Sequence, residues 1–140
     1  MKYFFNESEN LDTQDSSLSL GWFSINEIFF FKSTYCILTI SLADLISELN
    51  LLKNEKKNKT VWYPSDSGEK VELIKSKNKI ELIYNKNKIL FDFQEFEEAV
   101  YKASMNLLRE LYSNYNQVKI ESAFKDLFNY VKENNENFTL

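Results

Sequence analysis

The strongest constraint on the fold is a change of period partway along the chain. From Thr60 to Phe91 apolar residues come in short runs separated by polar turns, with alternation at Val71 and Leu73 and at Ile80, Leu82 and Tyr84, whereas from Phe93 to Val131 they recur every three or four. The first pattern belongs to strands with one buried face and the second to helices with an apolar stripe. Thr60-Val61-Trp62-Tyr63 reads as a strand, stopped by Pro64 and by the turn chemistry of Ser65-Asp66-Ser67-Gly68. Val71 to Lys75, Ile80 to Tyr84 and Ile89 to Phe91 continue it as an antiparallel meander. Its turns, Ser76-Lys77-Asn78-Lys79 and Asn85-Lys86-Asn87-Lys88, contain asparagine, which suits left-handed backbone without glycine. Val71 and Leu73 against Glu72, then Ile80, Leu82 and Tyr84 against Glu81, predict one buried face and one wet one.

Upstream, the residues from Met1 read as a first strand, followed by a polar, acidic loop from Asn6 to Ser19. Leu20 to Ile25 and Ile28 to Lys32 form a strand pair about a tight Asn26-Glu27 turn, and Tyr35 to Ile40 reads as another short buried strand or an extension of the second. Ser41, with Asp44 three residues on, predicts a helix start, and Leu42, Leu45, Ile46, Leu49 and Leu52 its buried face, ending near Asn54. Lys53 to Lys59 is an exposed connection. Asp92, with Glu95, caps a long second helix. Phe93, Phe96, Val100, Ala103, Leu107 and Leu111 make one apolar stripe on it, with Tyr101, Met105, Leu108, Tyr112 and Tyr115 beside it. After a break at Ser113 to Asn116, Ile120, Ala123, Phe124, Leu127, Phe128 and Val131 mark a third helix. The expectation is a single α+β domain over residues 1–140: an antiparallel sheet of about five to seven strands with three helices, the last two a hairpin across one sheet face. A chain of 140 residues suits one core of this kind.

The chemistry of the chain is defined by what it lacks. It has no histidine, which removes the usual general base and the commonest metal ligand, and with them Ser-His and Cys-His catalysis. Cys36 is the single cysteine, set between Tyr35 and Ile37, and reads as a core thiol; it permits neither an internal disulfide nor a thiolate zinc site. Gly21 and Gly68 are too few for a phosphate-cradling loop. Carboxylate pairs such as Glu97 and Glu98 read as solvated faces. A hydrolase using Asp66, Glu69 and Glu72 with a divalent metal is the enzymatic alternative. The expectation is therefore no enzyme, no cofactor and no metal. The longest apolar runs, Ile28 to Phe31 and Ile37 to Ile40, are far below the roughly 20 residues of a spanning helix, and Met1 to Glu7 lacks a secretory apolar stretch. A cytoplasmic location is expected, which suits a free thiol.

The net charge of −4 conceals a partition. Residues 1–50 carry two lysines against seven acids, residues 51–90 ten lysines against five acids, and residues 91–140 five basic residues against nine acids. Of the 17 basic residues only Arg109 is arginine, the side chain that forks onto phosphates and stacks on bases, which argues against nucleic acid as partner. An acidic chain rich in aromatics suits capture of a basic protein, steered by charge and anchored by buried rings. The candidate partner-binding residues are Glu7, Glu9, Asp12 and Asp15 in the acidic loop, and Asp66 and Glu69 beside a Trp62-Tyr63 anchor.

Trp22, the Ile28-Phe29-Phe30-Phe31 strand, the Ile40-Ser41-Leu42-Ala43-Asp44-Leu45-Ile46 helix start and Phe93-x-x-Phe96-x-x-x-Val100 after a meander carry a resemblance. In this order of elements the chain resembles the small α+β immunity proteins of contact-dependent growth inhibition and related bacterial polymorphic toxin systems. The resemblance implies a cytoplasmic protein that binds a cognate toxin domain, often a basic nuclease, and blocks its active site. In size, acidity and mixed content the chain is also similar to type III secretion chaperones, which implies a homodimer holding an extended effector segment. Those chaperones begin with a helix, whereas the first helix signal here is at Ser41.

Overall fold

The computed structural model describes residues 1–6, 18–115 and 117–140. Among them the strands number eight and divide between two four-stranded antiparallel sheets, where the sequence pattern had suggested five to seven in one. The first sheet contains β1 (Lys2–Phe5), β2 (Leu20–Ile25), β3 (Ile28–Phe30) and β4 (Cys36–Ile37). Its centre is β2, paired with β1 from Lys2↔Ser24 to Phe5↔Gly21 and, on the opposite side, with β3 and then β4. The two-residue turn between β2 and β3 places both Asn26 and Glu27 in the left-handed region, at φ 53° and 67°. That geometry matches the right-handed twist of a strand pair.

The second sheet is the expected meander, β5 (Lys59–Trp62), β6 (Val71–Ser76), β7 (Lys79–Tyr84) and β8 (Asn87–Asp92), in chain order. At the β7–β8 turn Asn85 takes the left-handed backbone, but at the β6–β7 turn Lys77 does so, not Asn78. Strand pairing there fixes which turn position must turn left, and the asparagine sits one place too late.

The two sheets meet through aromatic rings. Phe30 stacks on Tyr84 with ring centroids 4.5 Å apart, and Phe31 lies edge-on to Trp62 and Tyr84 at 5.2 and 5.3 Å. Phe31 and Tyr35 are both left-handed, with φ 66° and 62°, and the Tyr35 N–H closes onto the Phe31 carbonyl at 2.7 Å. This tight loop lifts the chain off the β3 edge and returns it as β4, while the fully buried Phe31 ring fills the space between sheets.

Helix α1 (Leu38–Lys53) begins three residues earlier than its sequence signal. Ser41 is a buried helix residue, not the cap, and its Oγ accepts the Ser65 N–H at 3.0 Å. The first turn is secured from outside instead: the Leu38 N–H donates to the Ser19 carbonyl, and the Ile37 N–H to that of Ser65. The residues Leu38 to Ile40, expected as strand, are therefore helical. Helix α2 (Phe93–Asn114) starts as predicted, with Asp92 accepting the Glu95 N–H at 3.1 Å. Every residue of its first stripe is buried, because α2 touches β1, β7, β8, α1 and α3. A short 3₁₀ turn (Val118–Ile120) leads to α3 (Ser122–Asn134). Ile120, predicted on the buried face of α3, is 62% exposed in that turn. The terminal α2–α3 hairpin is formed, and α3 rests on α1 and α2 rather than on a sheet. Beyond it Phe138 is buried against Phe128, under the guanidinium of Arg109. No helix among the described residues is long and apolar enough to cross a membrane.

Candidate partner-binding surface

The acids Glu7, Glu9, Asp12 and Asp15 lie outside the described residues. The second predicted patch divides in two. Trp62 cannot be an exposed anchor: it is 0% exposed, its ring packs between Phe23 and Phe31, and its indole N–H donates to the Ser41 carbonyl at 2.8 Å. Alternation along β5 decides this, since Trp62 falls on the inward face and Tyr63, just beyond the strand, is 63% exposed. Asp66 is exposed at a left-handed turn position.

Glu69 is half-buried and fully engaged. Its Oε2 accepts from Thr34 at 2.6 Å and from Ser67 at 3.4 Å, and its Oε1 accepts the Tyr84 hydroxyl at 2.9 Å. The Tyr84 oxygen in turn accepts the Phe31 N–H at 3.1 Å, so this chain of bonds ties the left-handed loop of the first sheet to the second. Burial, more than the bond to Glu69, holds the Tyr84 phenol above its ordinary pKa. Glu69 is thus a clasp between sheets rather than a free charge for a partner. Tyr84→Phe should remove the acceptor of a buried N–H and lower stability by about 2 kcal/mol, as a urea titration would measure. Loss of less than about 0.5 kcal/mol would mean that the clasp is dispensable. Cys36 is buried nearby as expected, its thiol pushed up to about 12 mainly by burial, so it stays protonated at neutral pH.

A concavity of a different kind lies between α1 and α3. It is a groove of about 380 Å³ lined by Ile40, Ala43 and Asp44 from one helix and Ala123, Asp126, Tyr130 and Glu133 from the other, with Asn129. Asp126 and Glu133 are seven residues apart and so share one face of α3. Asp44, Asp126 and Glu133 make no ion pair among the described residues, where the two that form are Lys53–Glu97 and Lys59–Glu72. Burial, then the neighbouring Glu48, holds the Asp44 carboxyl above its ordinary pKa. Glu48 itself is bonded by the Thr60 hydroxyl. A negative field with uncompensated desolvation is relieved by an approaching cation.

This groove was not among the sequence-derived candidates. Its acids were legible as the polar faces of two predicted helices, but nothing in the pattern said that these faces adjoin. No group of three or more His, Cys, Asp or Glu side chains suited to holding a metal ion occurs among the described residues. No protein-family model, curated protein or solved structure matches the chain.

Proposed function

We propose that this chain is an inhibitor of the immunity type, which binds a basic toxin domain one to one and occludes its active site. The observation that carries the reading is the α1–α3 groove, whose three carboxylates form no ion pair among the described residues and stand beside a half-buried Tyr130. A concave acidic surface with an aromatic wall suits a convex basic one: charge sets the encounter rate and the ring supplies a desolvated contact. The exposed Tyr63 and Asp66, and the acids Glu7, Glu9, Asp12 and Asp15, would add to the same attraction. The cytoplasm is the compartment in which such an inhibitor would meet its toxin.

The test is capture of the partner from native cytoplasm, followed by assay of that partner with and without this protein. A one-to-one complex with a basic protein whose activity is suppressed is the expected result. The charge-reversal pair Asp44→Lys and Asp126→Lys should weaken that complex by about tenfold or more in 0.15 M salt, with a smaller effect at high salt. Unchanged affinity at both salt concentrations would remove the groove. A homodimer carrying an extended effector segment would replace the inhibitor by a secretion chaperone.

A further inference from the structure

The second sheet ends on a free edge. Its order leaves β5 and β8 outermost; β5 packs against α1 and is followed by Pro64, whereas β8 pairs only with β7 among the described residues. The pairing of β8 is continuous from Lys79↔Asp92 to Tyr84↔Asn87, with no bulge and no proline. At six residues it is longer than the outer strands of the first sheet, since β1 has four, β3 three and β4 two. Folded proteins usually blunt such an edge with a proline, a bulge or a covering segment, because its unpaired backbone groups accept another strand.

The phase of the ladder says which backbone groups are free. The Phe93 N–H donates to the Asn78 carbonyl at 2.7 Å, in the same register, and bonded residues alternate along an antiparallel pair. Asn87, Ile89 and Phe91 therefore bond inward to β7, and Lys88, Leu90 and Asp92 turn their N–H groups outward. The carbonyls of Lys88 and Leu90 point the same way, while that of Asp92 serves the first turn of α2. Side chains alternate as well: Lys88 and Leu90 are exposed, Leu90 at 65%, whereas Ile89 between them is buried.

We propose that the β8 edge is a homodimer interface, in which a second copy adds its own β8 antiparallel across a two-fold axis at Leu90. Charge selects this occupant. With Leu90 opposite its own symmetry mate, Lys88 of each copy lies opposite Asp92 of the other, and the outward N–H and C=O groups of both strands meet in phase. Neither charge is committed to an ion pair among the described residues, where the two that form are Lys53–Glu97 and Lys59–Glu72. Asp92 uses Oδ1 for the Glu95 N–H, which leaves Oδ2 for the lysine. On the inner face Ile89 lies opposite Phe91 of the second copy, and the Phe91 ring is only half-buried where it stacks on Phe96 at 5.3 Å. β1 offers no such match, because Lys2 has no acid on its strand. β8 contributes no residue to the α1–α3 groove, so the inference does not rest on the partner-binding reading.

One strand from each copy is a small contact beside the roughly 1,600 Å² of a standard interface, so a dissociation constant of about 100 µM is expected. Sedimentation velocity of the purified full chain from about 10 µM to about 1 mM should therefore follow a monomer–dimer equilibrium. Leu90→Lys, at an exposed position, sets like charges face to face on the axis and should weaken the dimer by about tenfold or more. Cysteine reads the register. Leu90→Cys places two thiols on residues about 5.5 Å apart, Cα to Cα, and should give a disulfide-linked dimer with oxidised glutathione. Lys88→Cys leaves its two thiols on residues about 13 Å apart and should not. Cys36 is buried and does not compete. The cysteine pair decides the matter if Leu90→Lys does not fold. A chain monomeric across the range, a dimer that folded Leu90→Lys leaves intact, or equal cross-linking at the two positions would overturn the assignment.

Discussion

Gly21→Ala is expected to destabilise the protein more than its size suggests. A Cβ at this position would lie 1.9 Å from the Phe4 carbonyl oxygen and 3.0 Å from Leu38 Cδ1. The first of these is backbone of β1, the strand that pairs with β2 through Phe5↔Gly21, so it cannot rotate away as a side chain would. Relief requires β1 to shift off β2, and the Asn6 N–H bond to the Leu20 carbonyl at 2.8 Å would be strained with it. Forcing an extra methyl into such a contact costs about 3 kcal/mol, which lowers Tm by about 10 °C in a domain of this size. Gly68→Ala is the control: it sits at φ 78° with nothing within 4 Å of the added atom, so it meets only the left-handed penalty of about 1 kcal/mol. Thermal unfolding of both variants decides the matter, and equal losses would show that the β1–β2 approach is looser than described.

Trp62→Ala carries the second large effect. The side chain is the largest in the fully buried core and touches rings from the first sheet while bonded to α1 through the Ser41 carbonyl. Removing it leaves a cavity at the junction of both sheets and the first helix, at a cost of about 4 kcal/mol. Trp62→Phe should cost about half as much, since it keeps most of the apolar volume and loses the indole bond. Denaturant titration measures both. At a temperature where Trp62→Phe is folded, partner affinity should equal that of the wild type, because no atom of Trp62 reaches the surface. A specific loss of affinity in the folded variant would restore Trp62 to the interface and contradict its burial.

The two variants mark the border between what could and could not be read from the chain. The meander was legible because Val71 and Leu73, then Ile80, Leu82 and Tyr84, fall at alternate positions between polar turns, and the Asp92 cap because its acceptor lies within the same turn as its donor. The start of α1 was misplaced for the opposite reason: its orphan N–H groups are satisfied by Ser19 and Ser65, remote in sequence, which leaves Ser41 free to be buried. Trp62 illustrates the same limit within one dipeptide. Beside Tyr63 it looks like half of an aromatic anchor, and only the facing of β5 separates a core ring from an exposed one.

The sites follow this division. Glu69 is a surface acid by composition and a clasp by structure, because Thr34, Ser67 and Tyr84 converge on it from three segments. Asp44 is an acid of a helix start by sequence and Asp126 lies off the apolar stripe of the third helix, and the two share a groove only once α3 lies on α1. By itself the sequence determined the α+β class, the three helices found among the described residues with the last two as a hairpin, and the meander, since these depend on local periodicity, caps and turns. The tertiary structure decided that the strands form two sheets, which aromatic rings face inward, and where charge gathers into a cavity. Those outcomes depend on contacts between residues far apart in the chain, and the energy of such a contact has no local signature in the order of amino acids.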